Sequence, residues 1–278
     1  MDISDIKVIK ASGEKAQFSI ERVAESLRRS GAKDDLVKNT LEKLKTELYD
    51  GISTKEIYNR AFSLLRKGNK TSASKYKLKT AIYELGPTGF PFEKFIASLL
   101  GHSGYKTETG KIYQGKCVTH EIDVVAKTDT KLILIECKFH NAGRNSNVKT
   151  PLYIDSRFRD IKNYRKNHEN KLTFEEGWVV TNTRFTKDAI EYGKCSNLKL
   201  LSWDYPKGES IKDRIDKLGL YPITVSTLLS EREKNFLLSR DVVLCRDLVN
   251  DTFYLDHLGV NNPRKGRILK EMEELCKH

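Results

Sequence analysis

The sequence predicts an α/β protein in three parts. A helical N-terminal module opens with a small β-hairpin, a central mixed sheet lies between helices, and a small all-α module closes the chain. Three observations predict this. Apolar residues recur at helical spacing through the first 85 residues. Between 119 and 203, apolar runs of strand length alternate with amphipathic helical stretches. Beyond 221, a helix, a tight turn before a valine and another helix are written twice. These patterns give bounds of 1–88, 89–217 and 218–278.

The N-terminal module begins with Lys7–Phe18, a hairpin turning at Ser12-Gly13. Ser19 is placed to cap a helix carrying Ile20, Val23, Ala24 and Leu27 on one face. A second stripe runs through Val37, Leu41, Leu44 and Leu48, broken by Asp50-Gly51. Ser53 or Thr54 caps the next helix, with Ile57, Ala61 and Leu64. A fourth helix is expected from Ser74 to Leu85, stopped by Gly86-Pro87.

The central part follows a Pro/Gly-rich hinge, Gly86–Pro91. Phe92, Phe95, Ile96, Leu99 and Leu100 share a helix face that ends at Gly101 and Gly104. Extended structure from Tyr105 leads through Cys117-Val118 into two apolar strands around Asp123 and Glu136. Thr150–Tyr164 reads as a helix, Gly177–Asn182 as a buried strand, Thr186–Lys194 as a helix and Leu198–Trp203 as a last strand. Trp178 and Trp203, on apolar strands, are expected in the core.

The chemistry is expected in the two apolar strands. Asp123 is flanked by Ile122, Val124 and Val125, and Glu136 follows Leu132–Ile135. Strand side chains alternate, so Glu136 and Lys138 share a face and Cys137 points the other way. Carboxylates in a core sheet are costly unless paired or holding a cation. Asp123, Glu136 and the Cys137 carbonyl are hard oxygens that suit Mg²⁺ or Mn²⁺, and Lys138 is placed to steer water and offset negative charge. A plain Lys138–Glu136 salt bridge is the alternative. Glu121, two residues before Asp123, is a possible accessory ligand. His120 and His140 bracket the site, but no further nitrogen or sulfur ligand stands at zinc spacing. His140 and Asn141 are expected to line a substrate groove, and Arg157 or Arg159 to meet phosphates.

The chain carries 50 Lys and Arg against 38 Asp and Glu, a formal charge of +12 that favours polyanion partners, nucleic acid first. Its five cysteines form no CxxC pair, which argues against a disulfide framework and for a reducing compartment. No signal-peptide pattern opens the sequence, and no apolar run approaches the ~20 residues of a membrane span. A cytoplasmic protein without membrane association is expected.

Two resemblances sharpen these readings. Val8-x-Lys10-x-x-Gly13, Asp50-Gly51-Ile52-x-Thr54-x-x-Ile57 and Tyr76-x-x-Lys79 together resemble the ATP-cone, a small nucleotide-sensing domain, over about residues 5–88. The resemblance implies that Lys10, Arg22, Thr54 and Lys79 face ATP or dATP, a regulatory ligand whose phosphates meet the cations. Phe92-Glu93, Gly104-Tyr105, Glu121–Val125, Ile135–Lys138 and Thr181–Ala189 resemble the PD-(D/E)XK nuclease fold of Mrr-type restriction endonucleases, over about residues 89–206. That resemblance implies a restriction-endonuclease-like α/β/α domain with Asp123, Glu136 and Lys138 as catalytic residues. Glu93 would reach the same site from the preceding helix.

The last part loosely resembles paired helix-hairpin-helix motifs, in which Gly259, Asn261, Arg264 and Lys265 would meet DNA. A dimerisation or docking bundle is the alternative there, since residues 221–278 are charge-balanced. The expectation is a metal-dependent nuclease on double-stranded DNA, gated by an adenine nucleotide, in restriction or anti-phage defence, and working as a homo-oligomer. A nucleotide-sensing DNA-binding regulator without turnover is one alternative. A structure-specific DNA or RNA repair nuclease is another.

Overall fold

A computed structural model describes residues 5–10, 13–168 and 174–277. The N-terminal hairpin pairs β1 (Lys7–Ile9) with β2 (Lys15–Gln17), antiparallel, and Gly13 takes the left-handed φ of 82° that its turn needs. Ser12, the other expected turn residue, lies outside the described residues. Ser19 accepts from the Arg22 N–H at 3.3 Å and so starts α1 (Ile20–Arg29). α2 (Asp34–Thr46) and α3 (Thr54–Gly68) follow, the latter capped by Ser53 rather than Thr54.

The expected fourth helix is two. Asn69 caps α4 (Lys70–Tyr76), and α5 (Leu78–Tyr83) follows after Lys77. At Lys77 the ladder tightens, because its N–H is shared between the Ala73 and Ser74 carbonyls. Its side chain runs along α5 to Glu84, 2.8 Å away. It also donates to the Thr224 carbonyl at 3.3 Å, a tertiary contact that helical periodicity does not record.

Gly89, with φ 84°, opens α6 (Phe90–Gly101). Then come β3 (Lys106–Gln114), β4 (Thr119–Lys127), β5 (Leu132–Lys138), α7 (Lys149–His168), β6 (Phe174–Thr181), α8 (Lys187–Cys195) and β7 (Leu198–Leu201). The sheet order is β3-β4-β5-β6-β7, antiparallel from β3 to β5 and parallel from β5 to β7. Val124 and Ile135 face α6, whose Phe92, Phe95 and Leu99 are fully buried. Ile122, Val125 and Leu134 face the other way, onto Ile154, Phe158 and Ile161 of α7 and Ala189 of α8. Helices on both faces of a mixed sheet make the α/β/α sandwich that the alternating pattern predicts, with both tryptophans buried as expected.

The final part is helical: α9 (Ile211–Leu218), a short 3₁₀ turn (Ile223–Val225), α10 (Glu231–Ser239), α11 (Cys245–Asn250), α12 (Phe253–His257) and α13 (Asn262–Cys276). The two hairpins repeat each other closely. Asp241 (φ 60°) and Gly259 (φ 67°) each precede a valine, and each valine N–H returns to a leucine carbonyl five residues back at 3.0 Å.

The segment Leu218–Pro222, which reads as a linker, is instead a clasp. Leu220 and Tyr221 are buried, and Tyr221 and Ile223 exchange backbone hydrogen bonds with Cys245 and Val243. One apolar core accordingly runs from Leu78 and Leu85 through Phe92, Val124 and Trp178 to Ile223, Leu244 and Leu275. Among the described residues no helix is long and apolar enough to cross a membrane, and all five cysteines are free thiols.

Candidate active site

β4 and β5 separate where the charged residues begin. Their ladder ends at Val124 opposite Ile135, and past that point the Asp123 carboxylate accepts the Cys137 N–H at 2.7 Å in place of a strand partner. Glu136 is next to it on β5, 6% exposed. Burial comes first in raising the Asp123 carboxyl above the usual carboxylate range, and the Cys137 N–H opposes it. Burial and then the Asp123 charge push Glu136 up to about 8, outweighing the nearby Arg157. Glu93, projecting from the first turn of α6, is lifted to about 7 by burial, then by the Asp123 and Glu121 charges. The fold thus brings Glu93, Asp123 and Glu136 together, with exposed Glu121 at the margin.

The alternative of a Lys138–Glu136 salt bridge is not what the structure shows, and two arginines take roles the sequence does not suggest. Lys138 does not pair with Glu136: it is exposed and makes no side-chain ion pair with any described residue. Its main chain is pinned instead, because the Thr181 hydroxyl donates to the Lys138 carbonyl at 2.8 Å. Glu136 is held by Arg157 from α7, with Nη1 2.7 Å from Oε1 and an Arg157 side chain only 17% exposed. The approach is poorly aligned, so Glu136 Oε1 is buried next to a charge without accepting a well-formed hydrogen bond. Arg157 also donates to the Glu121 carbonyl. It is therefore turned inward rather than offered to a phosphate, and Arg159 is held by Asp155 at 2.7 Å.

The loop after Lys138 is fixed by a residue that sequence reasoning quoted but gave no task. Asn182 accepts from the His140 N–H at 2.8 Å and donates to the His140 carbonyl at 2.9 Å. The pairing of Thr181 and Asn182 directly after an apolar strand was the available signal. Neither histidine is placed as a ligand. His120 Nε2 is 2.9 Å from Asp160, whose carboxyl is held down near pH 2 chiefly by that contact, and His140 bonds Ser146 at 2.8 Å.

Among the described residues no group of three or more His, Cys, Asp and Glu side chains is arranged to hold a metal. The expected set needs fewer side chains, namely the carboxylates of Asp123 and Glu136 with the Cys137 carbonyl. It fits a hard divalent cation on two counts. Its donors are all oxygens, and Glu136 Oε1 is buried without an aligned donor.

The N-terminal residues divide. Lys10, Arg22 and Thr54 line one hollow between the hairpin, α1 and α3, with Phe18, Tyr58 and Tyr76. Lys79 lines a neighbouring cleft that shares Arg22, Ser26 and Tyr76 with the first. In the C-terminal part, Arg264 is engaged by Glu233 and the Leu228 carbonyl, Lys265 by Asp256, and Asn261 by its own helix cap. Arg264 and Lys265 are thus engaged within their own module, while Gly259 and Asn261 are exposed.

The fold and this cluster define a restriction-endonuclease domain set between two helical modules. Residues 6–84 match the ATP cone domain, 87–205 the restriction endonuclease model and 221–276 the AF1548-like C-terminal domain. An uncharacterized protein of Archaeoglobus fulgidus is 38% identical over 181 residues, which is 65% of this chain and 99% of that protein. The crystal structure of AF1548, a protein of unknown function, is 33% identical with a TM-score of 0.55, covering 67% of this chain and 97% of its own. The MspJI restriction endonuclease in complex with a 27-mer oligonucleotide matches at 12% identity and a TM-score of 0.36, over 62% of this chain and 36% of its own. The chain belongs to the AF1548-like family.

Proposed function

We propose that this protein is a divalent-metal-dependent DNA endonuclease, regulated by ATP or dATP at its N-terminal part and acting in restriction or anti-phage defence. The observation that carries the reading is the pairing of buried Glu136 with half-buried Asp123, with Lys138 free of any ion pair to a described residue beside it. Mg²⁺ or Mn²⁺ bound there would lower the pKa of a water and neutralise charge on the scissile phosphate. Asp123 and Glu136 would hold it, with the Cys137 carbonyl completing the set. Lys138 Nζ would orient the attacking water and stabilise the charge that builds on the phosphorane. Glu93, which burial and the neighbouring Asp123 charge raise to about 7, would serve as a further carboxylate on the same side.

The division of labour follows the three matched segments, and we take the working form to be a cytoplasmic homo-oligomer on double-stranded DNA. The test incubates the protein with plasmid, linear duplex and RNA, in Mg²⁺ or Mn²⁺, with and without ATP and dATP. Metal-dependent cleavage of DNA that Glu136→Ala and Lys138→Ala both remove is the expected result. Cleavage that persists at full rate in either variant would sink the site assignment.

One observation favours a second reading, a nucleotide-sensing DNA-binding regulator. Arg157 supplies Glu136 with a counter-charge and no metal is needed for that. DNA binding without turnover under any metal, in the same assay, would select it.

A further inference from the structure

Arg22 stands in the wall between two hollows of different character. The first, about 220 Å³, is largely apolar, with Val8, Phe18, Val23, Ile57 and Tyr58 around it. The second, about 330 Å³, is basic, lined by Arg22, Arg29, Lys75, Lys79 and Lys212. Only two acids, Glu25 and Asp216, share that lining, and Asp216 already takes Arg29 at 3.3 Å. Lys75 is 5.4 Å over the Tyr221 ring. Arg22, Lys79 and Lys212 make no side-chain ion pair with any described residue. Lys79, though open to solvent, is pulled below the ordinary lysine range by the protein around it and then by the charges of Arg184 and Lys212. Unpaired cations converging on a cleft repel one another, and an anion bound between them removes that cost.

The basic cleft takes its walls from two parts of the chain. Arg22 and Arg29 are on α1. Lys212 is on α9, and Trp203 follows β7, the last strand of the central sheet. The apolar hollow alone falls below the ~300–1,000 Å³ usual for small-molecule sites, whereas the joined pair falls well inside it. We propose that they form one composite site for a nucleoside triphosphate. The base lies against the apolar walls, and the polyphosphate passes Arg22 into the basic cleft, where Lys79, Lys75 and Lys212 receive its terminal phosphates. The inference rests on the nucleotide-binding part of the proposed function. It adds one phosphate ligand from outside the N-terminal module, Lys212 of α9, beside Lys75 and Lys79 of the module itself. The number of phosphates is thereby read by the helix that follows the last strand of the nuclease sheet, so a triphosphate and a monophosphate are sensed differently.

The test measures ATP, ADP, AMP and tripolyphosphate binding to the full chain by calorimetry, with tryptophan emission as a second readout because Trp203 lines the cleft. Lys212→Ala is expected to weaken ATP by about tenfold and leave AMP unchanged, which is the effect of losing one charge-assisted phosphate contact. Lys212→Arg is expected to restore most of the ATP affinity, which separates contact from folding. Arg22→Ala should weaken every phosphorylated ligand. Unchanged ATP affinity in both Lys212→Ala and Lys75→Ala, with loss in Arg22→Ala, overturns the composite site and leaves nucleotide binding standing. Wild-type protein that binds tripolyphosphate but no nucleotide overturns both together.

Discussion

Arg157 Nη1 is 2.7 Å from Glu136 Oε1, which puts a guanidinium against a carboxylate proposed to hold the metal. The protein therefore carries an internal substitute for the cation. Removing Arg157 leaves Glu136 buried beside Asp123 with nothing positive near it, although the carboxyl escapes part of the cost by keeping a proton. Arg157→Ala is expected to destabilise the metal-free protein by about 1–3 kcal/mol and to tighten Mn²⁺ binding. Thermal denaturation with and without Mn²⁺ checks both. Equal melting shifts in variant and wild type would show that Arg157 and the metal do not compete.

The raised carboxyls give a pH dependence with a definite sign. Glu136 titrates near 8 and Glu93 near 7 in the fold, both above their ordinary 4.5. Each favours the native state while protonated, so that contribution is complete below about pH 4.5 and is lost as pH rises through 7 and 8. The metal-free protein should therefore lose stability from pH 5 to 8 on their account. Metal affinity should rise over the same range, because bound cation displaces these protons. Melting curves from pH 5 to 9 with and without Mn²⁺ test this, and Glu136→Gln should flatten the metal-free slope.

Asn182 is expected to matter through geometry alone. Its amide closes two hydrogen bonds on His140, and Thr181 holds the Lys138 carbonyl. Asn182→Ala should cost about 1–3 kcal/mol in stability and lower kcat while the protein still binds DNA and metal. Loss of DNA affinity in parallel with rate would point to a substrate contact instead.

Glu271 ties the C-terminal helix to the N-terminal half. It is 4% exposed and accepts from Ser74, Ser226 and both the N–H and hydroxyl of Thr227. Glu271→Ala strands these donors and is expected to destabilise by about 2–4 kcal/mol. Chemical denaturation should show one cooperative transition moved to lower denaturant. A separate early transition of the C-terminal helices would contradict the tie.

What was legible in the sequence was what repeats or stands out against its background. Strand alternation and helical stripes gave the sandwich, and Asp123 within Ile122–Val125 and Glu136 directly after Leu132–Ile135 marked the cluster. Arg157 was visible as a basic residue on a helix, but its inward turn depends on how α7 lies across β4 and β5. The same holds for Lys77, where the break between α4 and α5 comes with a reach to the distant Thr224 carbonyl. Leu218–Pro222 reads as a linker because glycine and proline break patterns. Its burial comes from Val243 and Cys245, more than 20 residues later. Arg264 and Lys265 looked available for DNA because their acidic partners, Glu233 and Asp256, are set by tertiary packing rather than by helical neighbourhood.

The apolar core that runs from Leu78 to Leu275 makes dissection of this protein hazardous. A fragment cut at 88 and 217 would keep Phe92 and Trp178 but expose the faces that Leu85, Ile223 and Leu244 cover. Such a piece is an aggregation risk rather than a minimal enzyme, and its inactivity would say nothing about Asp123 or Glu136. Reagents, antibodies and crystals are better raised against the whole chain. Its parts are bound together as one object, whatever their separate ancestry.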